Sequence, residues 1–163
     1  MPENKPSVLT FGRIIGEGKT NIVPNEVHLE GTLRTFDEAW REKMHQIITE
    51  NANFIAKEMG GKVQVCIKKG YPVLTNDESL TSKVFKISQD FLGKDNVISL
   101  DYRMTAEDFA YYARLVPAVF YRLGTEIEGY KPNNSHNLRF LVNEESMKMS
   151  PALMAWLAVE VKF

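Results

Sequence analysis

From Glu26 to Arg34 the chain alternates strictly. Val27, Leu29, Gly31 and Leu33 fall on one side, and Glu26, His28, Glu30, Thr32 and Arg34 on the other. A period of two specifies a strand with one face toward a core and one toward water. The pattern then changes: from 37 to 59, Trp40, Met44, Ile47, Ile48, Ala52, Ile55 and Met59 follow the stripe of an amphipathic helix. Thr35 or Asp37 can cap its start, and Gly60 and Gly61 can end it. Residues 62–68 (KVQVCIK) alternate again, with Val63, Val65 and Ile67 inward. Upstream, 7–16 is rich in β-formers and runs into the glycine cluster GEGKT, which predicts a strand followed by a loop. The order is β-β-α-β, most of a split βαβ, ferredoxin-like sandwich without its first strand and helix.

Gly70, Tyr71 and Pro72 interrupt this pattern, and the boundary is placed there, separating residues 1–72 from 73–163. Thr75-x-x-Glu78 has the form of a capping box, opening a helix that runs to Leu92 and stops at Gly93. A buried strand (96–100), a short helix from Thr105, an apolar strand (118–123) and a polar loop (124–139) follow. A last helix begins near Asn143, and Pro151 predicts a kink or a restart within it. The α-β-α-β-loop-α order is that of the tail of a layered α/β domain.

Charge and cysteine content exclude several classes. Twenty Lys and Arg against 21 Asp and Glu leave a net charge of −1, too balanced for a nucleic-acid surface or an anionic-membrane coat built on bulk charge. No apolar run approaches the roughly 20 residues of a membrane helix, and MPENKPSV lacks a signal-peptide core. One cysteine, Cys66, rules out an internal disulfide and suits a reducing, cytoplasmic setting. It reads as a partly buried small residue, because no local base would activate it. Three histidines, His28, His45 and His136, are spread too far apart to match a zinc-binding spacing such as HExxH.

Each candidate site residue has an ordinary alternative. His136, in NNSHNLRF after an apolar strand, is either an exposed loop histidine or a metal ligand. Glu107 and Asp108, in MTAEDFAYY, either favour a helix N-terminus or orient a metal-binding histidine. Arg34 closes the polar face of its strand and Asn21 precedes that strand; together they are either surface groups or donors to one carboxylate. His28 lies six residues from Arg34, about 20 Å along an extended strand, and reads as a solvent or interface residue. His45 flanks the helix stripe. There is no GxSxG elbow, and GEGKT lacks the spacing of a phosphate loop.

Four segments, in order, resemble the aminoacylase/carboxypeptidase-like zinc metallopeptidases of family M20, in particular the amidohydrolase branch of hippurate and N-acyl-amino-acid hydrolases. GEGKTNIVPNEVHLEGTLRTFDEAWRE resembles the lid-domain stretch, matching at Gly18, Asn21, Pro24, Gly31, Thr32, Arg34 and Thr35. GYPVLTND resembles the return from lid to catalytic domain. MTAEDFAYYARLVPAVFYRLGT resembles the AEDF stretch, and SHNLRFLVNEESM resembles the C-terminal ligand segment, with Leu138 where a proline is usual.

The resemblance implies a partial ferredoxin-like lid and dimerisation domain (1–72), followed by the C-terminal part of an α/β metallopeptidase catalytic domain (73–163). It implies that His136 is a metal ligand, that Asn21 and Arg34 hold a substrate carboxylate, and that Glu107 and Asp108 line the wall near the metals. It implies a divalent metal pair, zinc or manganese, an N-acyl amino acid or small peptide substrate, and a homodimer through the lid. In such enzymes the metals polarise the carbonyl and acidify a bound water, and a glutamate takes its proton. The ligand motif and the glutamate pair that usually come earlier are absent from these residues, so the expectation is a C-terminal portion, inactive alone. Two alternatives stay open: a non-catalytic oligomerisation or interaction module, and a ferredoxin-like carboxylate-binding protein.

Overall fold

The computed structural model describes residues 4–130 and 138–162. The fold is mixed α/β. Strands β1 (Ser7–Ile15) and β2 (His28–Thr35) pair antiparallel and form a two-stranded sheet. Four α-helices are described, α1 (Glu38–Glu58), α2 (Glu78–Leu92), α3 (Ala110–Ala113) and α4 (Glu144–Glu160), with a 3₁₀ turn at Lys94–Asn96. The residues group into two compact units: Met1–Val73 with Tyr102–Ala110, and Leu74–Asp101 with Tyr111–Phe163.

In the first unit the register carries one irregularity. Phe11 lies opposite Gly31 and Arg13 opposite Glu30, so Gly12 is an extra residue, a β-bulge. The bulge restores the parity of β1. Leu9, Phe11 and Ile14 share the apolar face with Leu33, Gly31 and Leu29, while Arg13 joins Glu30 on the polar face. Gly31 is demanded by this crossing, because a Cβ there would lie 2.6 Å from the Thr10 carbonyl oxygen. Helix α1 begins where the sequence places it. The Asp37 carboxylate accepts from the Trp40 backbone N–H at 2.8 Å, and Gly60 follows the helix end at φ 72°. The Trp40 indole donates to Ser7 Oγ at 2.8 Å, tying the first turn of α1 to the start of β1. The outgoing chain is fastened to the same turn: Val73 N–H donates to Glu38, and Arg41 donates to the Tyr71 carbonyl, both at 2.8 Å.

Residues 62–68 form no ladder. Lys69 reaches Glu42 and Arg41 reaches Tyr71, so the chain does return alongside α1. In a split βαβ arrangement a third strand lies between the two that the helix connects, and among the described residues no strand fills that place. Alternation reports which side chains prefer cover; a ladder also needs a neighbour. Cys66 is correspondingly exposed rather than partly buried.

In the second unit, Leu153 and Leu157 of α4 are buried one turn apart, as is Ser88 of α2, and Phe91 stacks on Trp156 with ring centroids 5.8 Å apart. Helix α2 is capped by Asp77, whose carboxylate accepts from Leu80 N–H at 2.7 Å; the capping box expected from Thr75 is displaced by this nearer acceptor. Segments 96–100 and 118–123 also carry no ladder. At Phe120 the Asn76 side chain takes a neighbour's place: its amide donates to the Phe120 carbonyl (3.0 Å) and accepts from the Phe120 N–H (2.8 Å). This satisfies backbone groups that a sheet would otherwise pair. Helix α4 starts at its Asn143 cap and passes through Pro151 without restarting. Pro151 has no N–H to give the carbonyl of Met147, one turn back, and Met147 is well exposed, so the missing helix bond does not fall in a core.

Asp37 supplies a pH test. Its carboxyl is held below its ordinary value of 3.8, first by the Lys5 ammonium and then by the Trp40 N–H. A lowered folded-state value stabilises the fold above the unfolded value and is lost as pH falls through the folded one. Resistance to urea unfolding is expected to weaken progressively below about pH 4. In Asp37→Asn, which keeps the cap, that slope shrinks. An unchanged slope in the variant would show that Asp37 is not linked to folding.

Candidate functional site

Arg34 is the penultimate residue of β2 and lies on its polar face opposite Val8. Its Nη1 donates to the Met104 carbonyl oxygen at 2.7 Å, across 70 residues of sequence. Two positions further on, the Phe36 ring meets the Tyr102 ring with centroids 5.8 Å apart, tilted by 53°. The structure therefore brings Arg34 beside the MTAEDF stretch within one unit.

Within that stretch Glu107 serves its own turn. Its carboxylate accepts from Phe109 N–H at 3.4 Å, and its carbonyl accepts from Ala110 N–H at 3.3 Å, just ahead of α3. Asp108 is exposed. The short helix starts at Ala110 rather than at Thr105, because this turn precedes it.

Asn21 is placed at the other end of the hairpin. Lys19 and Ile22 exchange two backbone hydrogen bonds of 3.1 Å, which puts Thr20 and Asn21 at the tip of a tight turn. Gly18 is needed here: a Cβ would sit 2.6 Å from the Ile22 carbonyl oxygen and 3.0 Å from Pro24 Cδ. The turn lies in the connection between Ile15 and His28, which face each other at the far end of the ladder from Arg34. Six strand residues, about 20 Å, separate His28 from Arg34. One hairpin does not bring Asn21 and Arg34 to one small ligand.

Between these ends the polar face carries a charge cluster that the sequence reading did not single out. Glu30 accepts from Arg13 at 2.6 Å and contacts His28 at 3.1 Å. Desolvation pushes the Glu30 carboxyl up, but the Arg13 charge and hydrogen bond, with those of His28, outweigh it and hold it below its usual range. The bulge at Gly12 decides this pairing, and no local pattern in the sequence announces a bulge. Three exposed polar side chains with this geometry form a solvated cluster of small energetic worth.

His136 lies outside the described residues. The described residues on either side, Tyr130 and Arg139, are joined by a hydrogen bond from the Tyr130 hydroxyl to the Arg139 carbonyl. Among the described residues no three His, Cys, Asp or Glu side chains converge in a way that holds a metal ion. Among the described residues the donor set does not fit a metal pair. No helix among the described residues is long and apolar enough to cross a membrane.

The model of Peptidase family M20/M25/M40 matches residues 4–158. Thermostable carboxypeptidase 2 of Saccharolobus solfataricus is 28% identical over 160 residues, which are 96% of this chain and 39% of that protein. N-acetyl-L-cysteine deacetylase of Bacillus subtilis is 31% identical over 141 residues, 86% of this chain and 32% of that protein. Among solved structures, the YXEP protein of Bacillus subtilis, described as a dinuclear metal binding peptidase from the M20 family, superimposes with a TM-score of 0.78 at 23% identity. That superposition covers 94% of this chain and 41% of that one, and it shows a shared fold. The chain spans about a third to two-fifths of the length of the curated relatives it matches, from 32% to 40%.

Gly18→Ala tests the Asn21 turn. With backbone atoms on the other side of the clash, the substitution is expected to cost ~1–3 kcal/mol locally. It should abolish hydrogen-exchange protection at the Ile22 amide while leaving α1 protected. Retained protection at Ile22 would show that the turn tolerates a side chain.

Proposed function

The chain belongs to peptidase family M20/M25/M40, and we propose that it supplies the substrate-carboxylate grip of a metal-dependent hydrolase acting on the amide bond of N-acyl amino acids or small peptides. The observation that carries this reading is Arg34. It stands on the polar face of β2, exposed, with one N–H committed to Met104 and no other hydrogen bond among the described residues. A guanidinium so placed keeps an N–H pair for a carboxylate, which it receives in two parallel bonds. Substrates of this class carry such a carboxylate beside the scissile amide, and the names of the deacetylase and carboxypeptidase relatives fit that class.

In this reading residues 1–72 act as the lid and 73–163 as the C-terminal part of the catalytic domain. His136 contributes one ligand to a divalent metal pair, zinc or manganese. Of the acid pair, Glu107 is engaged in its own turn, so exposed Asp108 is the stronger candidate to line the site. A cytoplasmic setting fits the single, exposed Cys66. The described side chains hold no general base beside a metal donor set, so the chain by itself is proposed to be inactive.

The test is a titration with hippurate followed by NMR, run beside a turnover assay with added Mn²⁺ or Zn²⁺. Saturable binding is expected in the unmodified chain, lost in Arg34→Ala and weakened roughly tenfold or more in Arg34→Lys, which lacks the fork. No hydrolysis is expected. Equal binding by Arg34→Ala would refute the carboxylate role, and turnover by this chain alone would refute its inactivity.

We also propose a homodimer through the lid region. Phe11, Ile14 and Leu29 leave the apolar face of the sheet more than half exposed, which favours association. A second copy is also the arrangement in which an Asn21 and an Arg34 can serve one carboxylate. The same surface suits a non-catalytic oligomerisation module, which hippurate binding would argue against. Light scattering should give a dimer mass; a monomer at high concentration would end the proposal.

A further inference from the structure

We propose that Tyr102 and Met104 are positioning residues for Arg34, forming a two-point clasp that presents one defined edge of its guanidinium; the functional part of this inference rests on the reading of Arg34 as the carboxylate grip. Two contacts define the clasp. Arg34 Nη1 donates to the Met104 carbonyl at 2.7 Å, and the Phe36 and Tyr102 rings meet at 5.8 Å. Their order is antiparallel: as the chain runs on from 34 to 36 at the end of β2, the second segment runs back from 104 to 102. Two contacts in register fix a direction as well as a distance, which a single hydrogen bond does not. Both segments lie in the same compact unit, although the chain between Leu74 and Asp101 belongs to the other.

The clasp has a chemical consequence. An unrestrained arginine loses several rotatable bonds when it binds an anion, and that loss is subtracted from affinity. Here Nη1 is already tied to a main-chain oxygen, which accepts but cannot compete as a charge. The Nε–Nη2 edge is left as the fork for a carboxylate, because the guanidinium is planar and its donors point in fixed directions. The ring contact holds the main chain that carries Met104, so the oxygen stays where Nη1 needs it. Tyr102 itself is 94% exposed, so its ring adds little to a core. That exposure separates positioning from folding in an experiment.

The experiment compares the unmodified chain with Tyr102→Ala, Tyr102→Phe and Arg34→Ala. Side-chain ¹⁵N NMR of Arg34 reads the clasp without any ligand, and hippurate titration reads its use. In the unmodified chain the Arg34 guanidinium should show restricted rotation, with separate Nη signals. Tyr102→Ala should average those signals and weaken hippurate about 2–10-fold, the loss expected for one side chain no longer held in advance. Tyr102→Phe, which keeps the ring, should restore both. An Arg34 spectrum that is averaged from the start, or that Tyr102→Ala does not change, overturns the clasp. So does hippurate affinity unchanged in Tyr102→Ala when Arg34→Ala has lost it. If Arg34→Ala binds hippurate as well as the unmodified chain, or neither binds, the carboxylate reading fails and the NMR comparison alone decides the clasp.

Discussion

The antiparallel ladder between β1 and β2, with its bulge at Gly12, is the constraint on which the candidate site depends. Without the extra residue, Arg13 would fall on the apolar face and Ile14 on the polar one. The bulge keeps Ile14 beside Leu29 and delivers Arg13 to Glu30. It also leaves Arg34 opposite Val8 at one end of the hairpin and the Asn21 turn at the other. A ladder is rigid over this length, so neither residue reaches the other by a rotamer change. The separation of the two candidate carboxylate donors is thus a property of the sheet, and the chemistry at Arg34 has to be read from its own surroundings.

Those surroundings depend little on a packed core. Among the described residues of the unit that holds Arg34, the buried apolar side chains are those of Met44, Pro72 and Ala110, and the apolar face of its sheet is covered mainly near Leu9 and Leu33. Two strands with one helix bury too little to be stable by area alone. Polar fastenings compensate: the Trp40 indole to Ser7, Lys5 to Asp37, Glu38 to Val73 and Arg41 to Tyr71 all converge on the first turn of α1. That turn begins three residues after Arg34 is left behind, so the end of β2 bearing Arg34 is the better-anchored end. The Asn21 end is held by its own turn, the ladder and the exposed contacts of Glu30 with Arg13 and His28.

Much of this was legible in the residues. The stripe from Trp40 to Met59 and the Asp37 cap set α1 to within a residue at each end, because a helix closes its own hydrogen bonds and carries its signals locally. The alternation from Glu26 to Arg34 located β2, and the β-forming run before GEGKT located β1. Residues 62–68 and 118–123 carry equally good patterns yet form no ladder, since pairing is settled by what lies alongside. The Asn76 amide standing in at Phe120 shows how such a segment is satisfied by a side chain that no periodicity identifies. At the site, Arg34, Asn21 and the AEDF acids were readable as a resemblance. The meeting of Arg34 with Met104 was not, because it spans 70 residues and uses a main-chain oxygen that every residue possesses.

The surroundings of Arg34 matter more than its identity. An exposed arginine at a strand end is common, and alone it is a mobile charge in water whose pairings are worth little. What distinguishes Arg34 is a partner that takes one donor without neutralising the charge. Had a carboxylate held Nη1, as Glu30 holds Arg13, the guanidinium would be spent on an internal ion pair. A carbonyl leaves the positive charge intact and restricts only its direction. The two arginines of the polar face therefore differ in availability although both are exposed, and the difference follows from the kind of oxygen each one meets. An incoming carboxylate would gain from Arg34, in the proposed role, what at Arg13 it would have to take from Glu30.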